Sequence, residues 1–548
     1  MDVRRIDAVV VGAGFAGLYM LHRLRGLGLE VCAIEAGSGV GGTWYWNRYP
    51  GARCDIESME YSYQFSDALA QEWEWSERYA TQPEILRYAN HVADRFDLKN
   101  DIEFETRIVS AHYSDDDDDE AKRWRITTDR GDIFMARWCV MATGCLSSAN
   151  LPDIPGRDRF AGGAYHTGRW PHQGVDFHGK RVAVIGTGSS GIQSIPLIAE
   201  QASQLFVFQR TPTYSVPAHN RPLDPNEVCG IKADYRNFRA RNAEQPFGFG
   251  AQIGRGGQSA LAVGEADRAS QYADRWHLGG LPFLIAFSDL MLDPEANETA
   301  AEFIRAKISA IVADPAVAER LTPRQVVGCK RLCVDTNYYA TYNRDNVTLV
   351  DLRDEAIQSI DAAGIRTTEK HYPLDAIVFA TGFDAMTGAL ERIDIRGRGD
   401  RALKEKWSAG PRAYLGLATA GFPNLFLVTG PGSPSVLSNM LPSIEQHVDW
   451  IARCLQYMQQ QQIEIAEARS DAENEWVAHV NEVADKTLFP TTASWYTGAN
   501  VPGKPRVFLP YVGGLGNYTV ICDKVAADGY RGIQLDPARQ SATSAASA

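Results

Sequence analysis

The sequence predicts an α/β protein with two dinucleotide-binding, Rossmann-like domains and a mostly helical insertion in the second of them. One pattern occurs twice: an apolar, β-branched run leads into a glycine-rich turn and a plausible helix, at residues 12–17 and again at 186–191. Glycines permit a tight turn and close approach of the backbone to a pyrophosphate. A plain strand-to-helix turn is the alternative for each. The residues expected to bind nucleotide are Gly12, Gly14, Ala16 and Gly17, then Gly186, Gly188, Ser189, Ser190 and Gly191.

The two turns differ in the residues at the end of the next strand. After the first turn that strand ends at Glu35, whereas after the second it ends in Gln209, Arg210 and Thr211. A carboxylate at this place accepts a hydrogen bond from a free ribose 2′-OH, while an arginine suits a 2′-phosphate. The first site is therefore predicted to bind FAD or NAD, and the second NADP. Both sites in one chain indicate a flavin enzyme that is reduced by NADPH.

Composition narrows the class of protein. The chain has 548 residues, of which 45% are hydrophobic and 22% charged, as in soluble globular proteins of two or three domains. A net charge of −13 argues against nucleic acid and against an anionic membrane surface as partners. No run of about 18 apolar residues exists to span a membrane, and the N-terminal apolar run is already used as a strand. We therefore expect a cytoplasmic protein.

The cysteines argue against a related class. Nine are scattered along the chain, and none forms a Cys-x-x-Cys pair. An odd number without a framework predicts reduced thiols. The missing pair disfavours a flavin disulfide reductase, which also joins two dinucleotide domains. Cys329 and Cys333 have no common zinc or redox spacing, so we expect them to be structural, and we expect no metal site.

The order of the motifs predicts the domain organisation. Residues 1–150 and 382–548 are expected to form the FAD domain, residues 151–215 and 330–381 the NADP domain, and residues 216–329 the helical insertion. We expect a strand over Ile102–Ser110 and a long helix near Pro442–Gln460. The acidic run 115–119 is predicted to be a solvated loop, and the tail 541–548 to be disordered.

A twelve-residue linker between the two units carries the most specific motif. Phe160, Gly162, His166, Trp170 and Pro171 match the pattern Phe-x-Gly-x-x-x-His-x-x-x-Trp-Pro. This resembles the signature of type I Baeyer–Villiger monooxygenases. The aromatic stretch 41–55 resembles a second motif of that family, and further similarities extend the resemblance from about residue 7 to about residue 520.

The resemblance implies roles for particular residues. Arg331 is the catalytic cation, and Asp55 pairs with it and fixes its position. His166 couples domain movement to NADPH and does not transfer protons. The other implied ligands are, for FAD, Thr43, Trp44, Trp46, Asp55 and Tyr61; for NADP, Arg53, Lys330, Arg331 and Trp495; and for the substrate pocket, Ser435, Val436 and Met440.

The resemblance also implies the reaction. It is the NADPH- and O2-dependent conversion of ketones to esters or lactones through a C4a-peroxyflavin, with oxidation of sulfides as a second activity. We expect a monomer. Two alternatives stay open on the sequence. One is a flavin monooxygenase that oxidises nitrogen or sulfur, and the other is a flavin protein that transfers electrons without inserting oxygen.

Overall fold

The computed structural model describes residues 3–114, 123–254 and 256–537. The acidic run 115–119 and the tail 541–548 lie outside these ranges. The strands are β1 Val3–Val11, β2 Val31–Ile34, β3 Ile102–Glu103, β4 Ile108–Ser114, β5 Arg123–Thr128, β6 Ile133–Met141, β7 Gly163–His166, β8 Arg181–Ile185, β9 Gln204–Gln209, β10 Ser215–Pro217, β11 Cys333–Asp335, β12 Val347–Asp351, β13 Ile357–Asp361, β14 Gly364–Thr367, β15 His371–Pro373, β16 Ala376–Phe379, β17 Asp394–Arg396, β18 Leu425–Leu427, β19 Ile463–Ala468 and β20 Ile533–Pro537.

The α-helices are α1 Phe15–Gly26, α2 Thr43–Trp46, α3 Asp67–Glu72, α4 Gln82–Arg95, α5 Ser189–Gln201, α6 Pro225–Ala233, α7 Tyr235–Ala243, α8 Glu265–Leu278, α9 Pro294–Ile311, α10 Pro315–Leu321, α11 Tyr338–Thr341, α12 Gly388–Glu391, α13 Leu403–Lys406, α14 Met440–Gln460, α15 Ser470–Asp485 and α16 Leu515–Ala527. In the part of the chain that the structure describes, none of these helices is long and apolar enough to cross a membrane.

The first sheet has the strand order β17-β4-β5-β6-β1-β2-β3, and β18 also pairs with β6. Strand β1 lies between β6 and β2 and is parallel to both. Its inner residues are buried because side chains pack on both faces of the sheet, which explains the continuous apolar run Ala8–Val11. The first glycine-rich turn therefore leaves the sheet at the carboxyl end of a central parallel strand, where α/β proteins bind ligands.

The second sheet is smaller and repeats this arrangement. Its order is β12-β9-β8-β16-β7, and every pairing is parallel. Strand β8 lies between β9 and β16 and leads into the second glycine-rich turn. Strand β7 contains His166, so part of the linker motif belongs to this sheet. The two Rossmann-like units expected from the sequence are present.

Helices dominate the stretch between the two halves of the second unit. Helices α6 to α10 lie between β10 and β11, and within the described residues this stretch contains no strand. Three of these helices begin after an aspartate whose side chain accepts backbone N–H groups, namely Asp224, Asp293 and Asp314. The predicted helical insertion is confirmed as a structural feature.

One expected element is wrong. Residues Ile102–Ser110 do not form one strand but two, β3 and β4. Glu105 between them has a positive φ of 52°, which ends the extended conformation. The backbone N–H groups of Glu105 and Thr106 instead donate to the carbonyls of Gly37 and Glu35. The chain therefore turns here to cover the end of β2, a long-range contact that local periodicity does not reveal.

Candidate active site

The first glycine-rich turn is a tight backbone cradle. Gly12 has a φ of +102°, and a Cβ there would lie 2.8 Å from the carbonyl oxygen of Ala142. Gly14 meets Gly42 of the aromatic stretch so closely that a Cβ on Gly42 would lie 2.8 Å from the Cα of Gly14. No side chain caps helix α1, so its first N–H groups are directed at the cradle. This geometry fits a pyrophosphate.

Glu35 lies beside that cradle and is 5% exposed. Its carboxylate accepts the backbone N–H groups of Ala13 and Gly37, each at 2.7 Å. Burial raises the pKa of Glu35, and hydrogen bonds from the backbone of Ala13, Gly37 and Ala36 act in the opposite direction. A carboxylate has four acceptor sites, so acceptor capacity remains for a ribose hydroxyl. The arrangement fits the adenosine end of FAD.

The second glycine-rich turn reproduces the first. Gly186 has a φ of +111°, and a Cβ there would lie 2.4 Å from the carbonyl oxygen of Ala380. A Cβ on Gly191 would lie 2.2 Å from the carbonyl oxygen of Gly186. Gly188 precedes helix α5, which lacks a side-chain cap, and a Cβ on Gly188 would meet no atom within 4 Å. Space for a second pyrophosphate is therefore open at this helix.

Two cations lie next to this turn without an acidic partner. Arg210 follows β9, and Lys330 lies close enough for Arg210 to affect its titration. Burial and the charge of Arg210 both lower the pKa of Lys330. Among the ion pairs of the described residues, neither side chain takes part. Such a cluster fits a 2′-phosphate, which would neutralise the mutual repulsion of the cations. Thr211 completes the edge, with its carbonyl accepting the Thr187 hydroxyl at 3.1 Å.

The aromatic stretch connects the two turns. Trp44 lies in the short helix α2 and donates its indole N–H to the Tyr61 hydroxyl at 3.0 Å, while its carbonyl accepts the side chain of Gln82. Thr43 begins this helix and is exposed, and Trp46, which ends it, is half-buried. The fixed indole of Trp44 and the buried Tyr61 form an apolar wall close to the first cradle.

The loop after the aromatic stretch contacts helix α5 of the second unit. Tyr49 donates its hydroxyl to Gln193 at 2.8 Å, and a Cβ on Gly51 would lie 2.2 Å from the Gln193 carbonyl oxygen. Arg53 forms an ion pair with Glu77 at 3.1 Å, so this predicted NADP ligand already has a protein partner. Ser190 interacts with the Tyr49 hydroxyl. The two nucleotide cradles therefore meet at this loop.

Asp55 and Arg331 form the central charged pair of the site. Arg331 donates through Nε to Asp55 Oδ2 at 2.8 Å and through Nη2 to Asp55 Oδ1 at 2.9 Å. Its Nη1 donates to the carbonyl of Val436 at 2.9 Å. Burial acts to lower the pKa of Arg331, but Asp55 outweighs it and the pKa is raised, so the guanidinium stays charged. Its side chain retains 26% exposure, so the cation can still meet a small molecule.

Buried apolar and sulfur-containing side chains surround this pair. Ser435 is fully buried and its hydroxyl contacts the sulfur of Met386 at 3.7 Å, while Met440 is half-buried at the start of α14. Val436 belongs to the same cluster. The other buried members are Cys145, Cys329, Ala385, Met386, Ala484, Leu488, Phe489, Tyr496, Phe508 and Leu509. The cluster joins separate chain segments, and it reaches Arg331 through Val436 and Tyr496.

The cysteines near Arg331 are structural in their contacts. Cys333 is buried, and its sulfur lies 3.3 Å from the hydroxyl of Ser189. Cys329 packs in the apolar cluster. Burial raises the pKa of both thiols to about 12, so neither is a thiolate at neutral pH. None of the nine cysteines, all of which lie in the described ranges, forms a disulfide.

The linker motif is folded against both units. His166 is the last residue of β7, and its Nδ1 accepts the Gly168 N–H at 2.9 Å. Burial, and to a smaller extent the charge of Arg169, lower the pKa of His166 to about 4, so the imidazole is neutral at neutral pH. Trp170 is buried and donates its backbone N–H to the Trp46 carbonyl at 3.3 Å. A Cβ on Gly162 would lie 2.5 Å from the Asp375 carbonyl oxygen, and it would also meet the ring of Phe160. The motif residues are therefore closely packed in the fold.

A surface cavity of about 690 Å³ is lined by Arg48, Arg87, Pro171 and His172 among other residues. It does not include Arg331 or Asp55. The candidate site is therefore defined by the half-buried ion pair and the two glycine cradles rather than by this concave volume.

Tyr496 is the functional candidate that the motifs missed. It follows Trp495, and the two rings have centroids 4.1 Å apart. Trp495 is half-buried, whereas Tyr496 is buried and its hydroxyl interacts with Arg331. The sequence signal was available, because Tyr496 stands inside the Gly- and Pro-rich stretch that identified Trp495, but only the fold places it beside the cation.

Comparison with known proteins gives the same assignment. A profile described as flavin-binding monooxygenase-like matches residues 5–224. A Baeyer–Villiger monooxygenase of Pseudooceanicola batsensis is 41% identical over 97% of this chain and 96% of its own length. A phenazine N-monooxygenase of Lysobacter antibioticus is 42% identical over 97% of this chain and 98% of its own.

Two solved structures are similar throughout. Steroid monooxygenase bound to NADP is 55% identical with a TM-score of 0.92, over 97% of this chain and 99% of that one. A closed cyclohexanone monooxygenase is 42% identical with a TM-score of 0.95, over 98% and 100%. The sequence motifs also resemble those of steroid and cyclohexanone monooxygenases. They predict a greater similarity to phenylacetone monooxygenase, and this ranking stays a prediction. Fold, charged pair and full-length similarity agree: the chain belongs to the type I Baeyer–Villiger monooxygenases.

Proposed function

We propose that this protein uses FAD, NADPH and O2 to convert ketones to esters or lactones, with Arg331 as its catalytic cation. The observation that carries the proposal is the bidentate contact between Arg331 and Asp55, at 2.8 and 2.9 Å, where the two cradles meet. FAD supplies the oxygen activation when bound, and NADPH supplies the electrons. Glu35 and the first cradle hold FAD; Arg210, Thr211, Lys330 and the second cradle hold NADPH.

Arg331 stabilises negative charge that develops on oxygen during the reaction. A guanidinium suits this task because it stays charged at every accessible pH. Asp55 holds two of its nitrogens and Val436 a third, so the cation is fixed before the substrate arrives. Preorganised donors of this kind are worth about 3–4 kcal/mol each when removed from other enzymes. Asp55 therefore acts as a positioning residue for Arg331.

The apolar cluster around Arg331 keeps water away from the reacting oxygen and holds the carbon skeleton of the ketone. Ser435, Val436 and Met440 form part of this pocket in our proposal. Trp44, Trp46 and Tyr61 shield the flavin, and Trp495 closes over the nicotinamide nucleotide. His166 is neutral, so we assign it and its motif a role in coupling the two units rather than in proton transfer.

We also propose the domain division 1–150 with 382–548 for FAD, 151–215 with 330–381 for NADP, and 216–329 as the insertion. The distribution of strands between the two sheets supports it. We place the protein in the cytoplasm as a monomer. The nine free cysteines support a reducing compartment.

The experiment that tests the function is a panel of aryl, cyclic and linear ketones incubated with NADPH and ¹⁸O2. Mass spectrometry should find a product that is heavier than the ketone by one ¹⁸O atom and that hydrolyses as an ester. NADPH oxidation that gives only hydrogen peroxide, with no oxygenated product from any ketone, would contradict the proposal.

Oxidation of nitrogen or sulfur is the competing outcome. Adding an aromatic amine, an N-heterocycle and a sulfide to the panel separates the reactions, because ester formation requires a carbonyl group. Oxygenation of the amine or heterocycle with no ester from any ketone would show that the N-oxidising alternative is correct.

A further inference from the structure

Tyr496 is held rigidly in the loop that carries Trp495. It lies in the single 3-10 turn Trp495–Thr497, where the Ser494 N–H donates to the Thr497 hydroxyl at 3.3 Å. The Tyr496 carbonyl accepts the Leu509 N–H at 2.8 Å. The side chain is only 3% exposed, and its ring packs edge-on against Phe489 with centroids 5.7 Å apart.

The hydroxyl of Tyr496 interacts with the guanidinium of Arg331. Arginine carries only donors, so the tyrosine oxygen must be the acceptor of any hydrogen bond between them. The remaining polar contacts of Arg331 are with Asp55 and with the carbonyl of Val436. Asp55 also affects the titration of Tyr496, so the hydroxyl lies near both members of the charged pair.

Within the described part of the chain, the proton of this hydroxyl has no acceptor. Among the hydrogen bonds of the described residues, none has the Tyr496 hydroxyl as its donor. Burial raises its pKa to about 12, although Arg331 partly counteracts this, so the hydroxyl is protonated at neutral pH. Val436 and Phe508 of the apolar cluster carry no side-chain acceptor. The nearby Asp55 carboxylate already accepts two hydrogen bonds from Arg331. A protonated hydroxyl without a protein acceptor can donate to a molecule that enters the site.

We propose that Tyr496 is a second catalytic donor, which gives a hydrogen bond to the carbonyl oxygen of the bound ketone beside Arg331. The inference rests on the proposed function, because it assigns the missing acceptor to that substrate. Negative charge gathers on the carbonyl oxygen when the carbonyl carbon is attacked, so the hydrogen bond is stronger in the transition state than in the ground state. The proton remains on Tyr496, and Arg331 contacts both the tyrosine and the oxygen.

The test compares a ketone with a sulfide in the same holoenzyme. Tyr496→Phe removes the hydroxyl and keeps the ring. We expect kcat/KM for ketone oxidation to fall about tenfold, the loss of one hydrogen bond, with more NADPH lost to hydrogen peroxide. Sulfide oxidation and the rate of flavin reduction by NADPH should change less than about twofold, because a sulfide has no carbonyl oxygen to receive the bond.

The matched control is Tyr511→Phe. Tyr511 is also buried, lies in the same C-terminal segment and has its hydroxyl 3.4 Å from His479 rather than near Arg331. This variant should retain both activities. If Tyr496→Phe lowers ketone and sulfide oxidation equally, Tyr496 only positions Arg331 and the proposal is wrong; unchanged ketone oxidation overturns it too. A wild-type enzyme that oxidises sulfides but no ketone refutes the proposed function instead.

A second variant covers the case in which Tyr496→Phe does not fold. Incorporation of a polyfluorinated tyrosine at position 496 nearly keeps the shape and makes the phenol acidic enough to ionise within the pH range of the assay. Because an ionised phenolate cannot donate, the alkaline loss of ketone oxidation should move to lower pH, while the pH profile for sulfide oxidation stays in place. Identical profiles for the fluorinated and native enzymes with the ketone would overturn the proposal.

Discussion

The two nucleotide cradles have nearly the same backbone and opposite electrostatic surroundings. Gly12 and Gly186 have φ angles of +102° and +111°, and both approach a carbonyl oxygen of the neighbouring strand end, Ala142 or Ala380. Beside the first lies the buried carboxylate of Glu35, whereas beside the second Arg210 and Lys330 repel each other. The backbone geometry therefore provides pyrophosphate binding in general, and the residues at the end of the next strand decide which nucleotide binds.

The largest expected effect concerns the cation between the cradles. Arg331→Ala should lower ester formation by about 10²–10³-fold or more, because it removes a preorganised charge from the transition state. Flavin reduction by NADPH should survive if the cradles bind their nucleotides independently of Arg331. Stopped-flow absorbance of the flavin and product mass spectrometry measure the two steps. Full ester yield from the variant would refute the catalytic role.

The next effect tests the charge difference directly. Arg210→Ala should reduce kcat/KM for NADPH by about 10- to 100-fold, the value of a charge-assisted hydrogen bond, and leave kcat/KM for NADH nearly unchanged. The wild-type enzyme should strongly prefer NADPH. Steady-state kinetics with both nucleotides measure the ratio. Equal kcat/KM values for NADPH and NADH in the wild type would contradict our assignment of the second cradle.

A smaller effect separates backbone strain from nucleotide contact. Gly186→Ala should destabilise the protein by about 1–2 kcal/mol or more, because alanine disfavours a positive φ. Its Cβ would also lie 2.4 Å from the Ala380 carbonyl oxygen. Gly188→Ala is the control, since a Cβ there meets no protein atom within 4 Å. Only Gly186→Ala should therefore lower the Tm, whereas the Kd for NADPH should rise in both variants. An unaltered Kd for Gly188→Ala would indicate that no phosphate lies at this helix.

The smallest effect is a pH dependence. The pKa of Lys330 is lowered below 10.5 by burial and by Arg210, so the lysine loses its charge at a lower pH than usual. NADPH binding should weaken several-fold as the pH rises through that value, while NADH binding stays constant. The folding stability of the nucleotide-free protein depends on pH in the opposite direction. Between the pKa of Lys330 in the folded protein and its higher pKa in the unfolded chain, the unfolded chain binds more protons, so the contribution of Lys330 to stability rises with pH. Lys330→Met should abolish both trends, which titration of Kd and of unfolding against pH can verify.

Much of the fold could be predicted from local patterns. The strands β1 and β8 and the turns after them are encoded by contiguous apolar and glycine residues, and α14 begins two residues before its expected start. The predicted strand Ile102–Ser110 failed because Glu105 and Thr106 bond to carbonyls near Glu35, some 70 residues earlier in the chain. Hydrophobic periodicity contains no information about such a contact.

The candidate site also combines features that the sequence predicts with features that only the fold shows. Asp55 and Arg331 were identified as a pair by family resemblance, but they are 276 positions apart, and no local pattern gives their two hydrogen bonds. Arg53 was expected only as a nucleotide ligand, and the fold also gives it Glu77. Tyr496 received no role from the motifs, because its importance depends on the guanidinium that it approaches.

By itself, the sequence determined two glycine cradles, the acid after the first, the cations after the second and the family to which the chain belongs. These properties depend on short segments, where steric and charge requirements act between neighbouring residues. Only the tertiary structure decided that Arg331 is held by Asp55 and Val436, that apolar side chains from distant segments surround it, and that the Tyr496 hydroxyl stands beside it with its proton free. These features arise from packing between segments far apart in the chain, whose proximity is set by the fold as a whole.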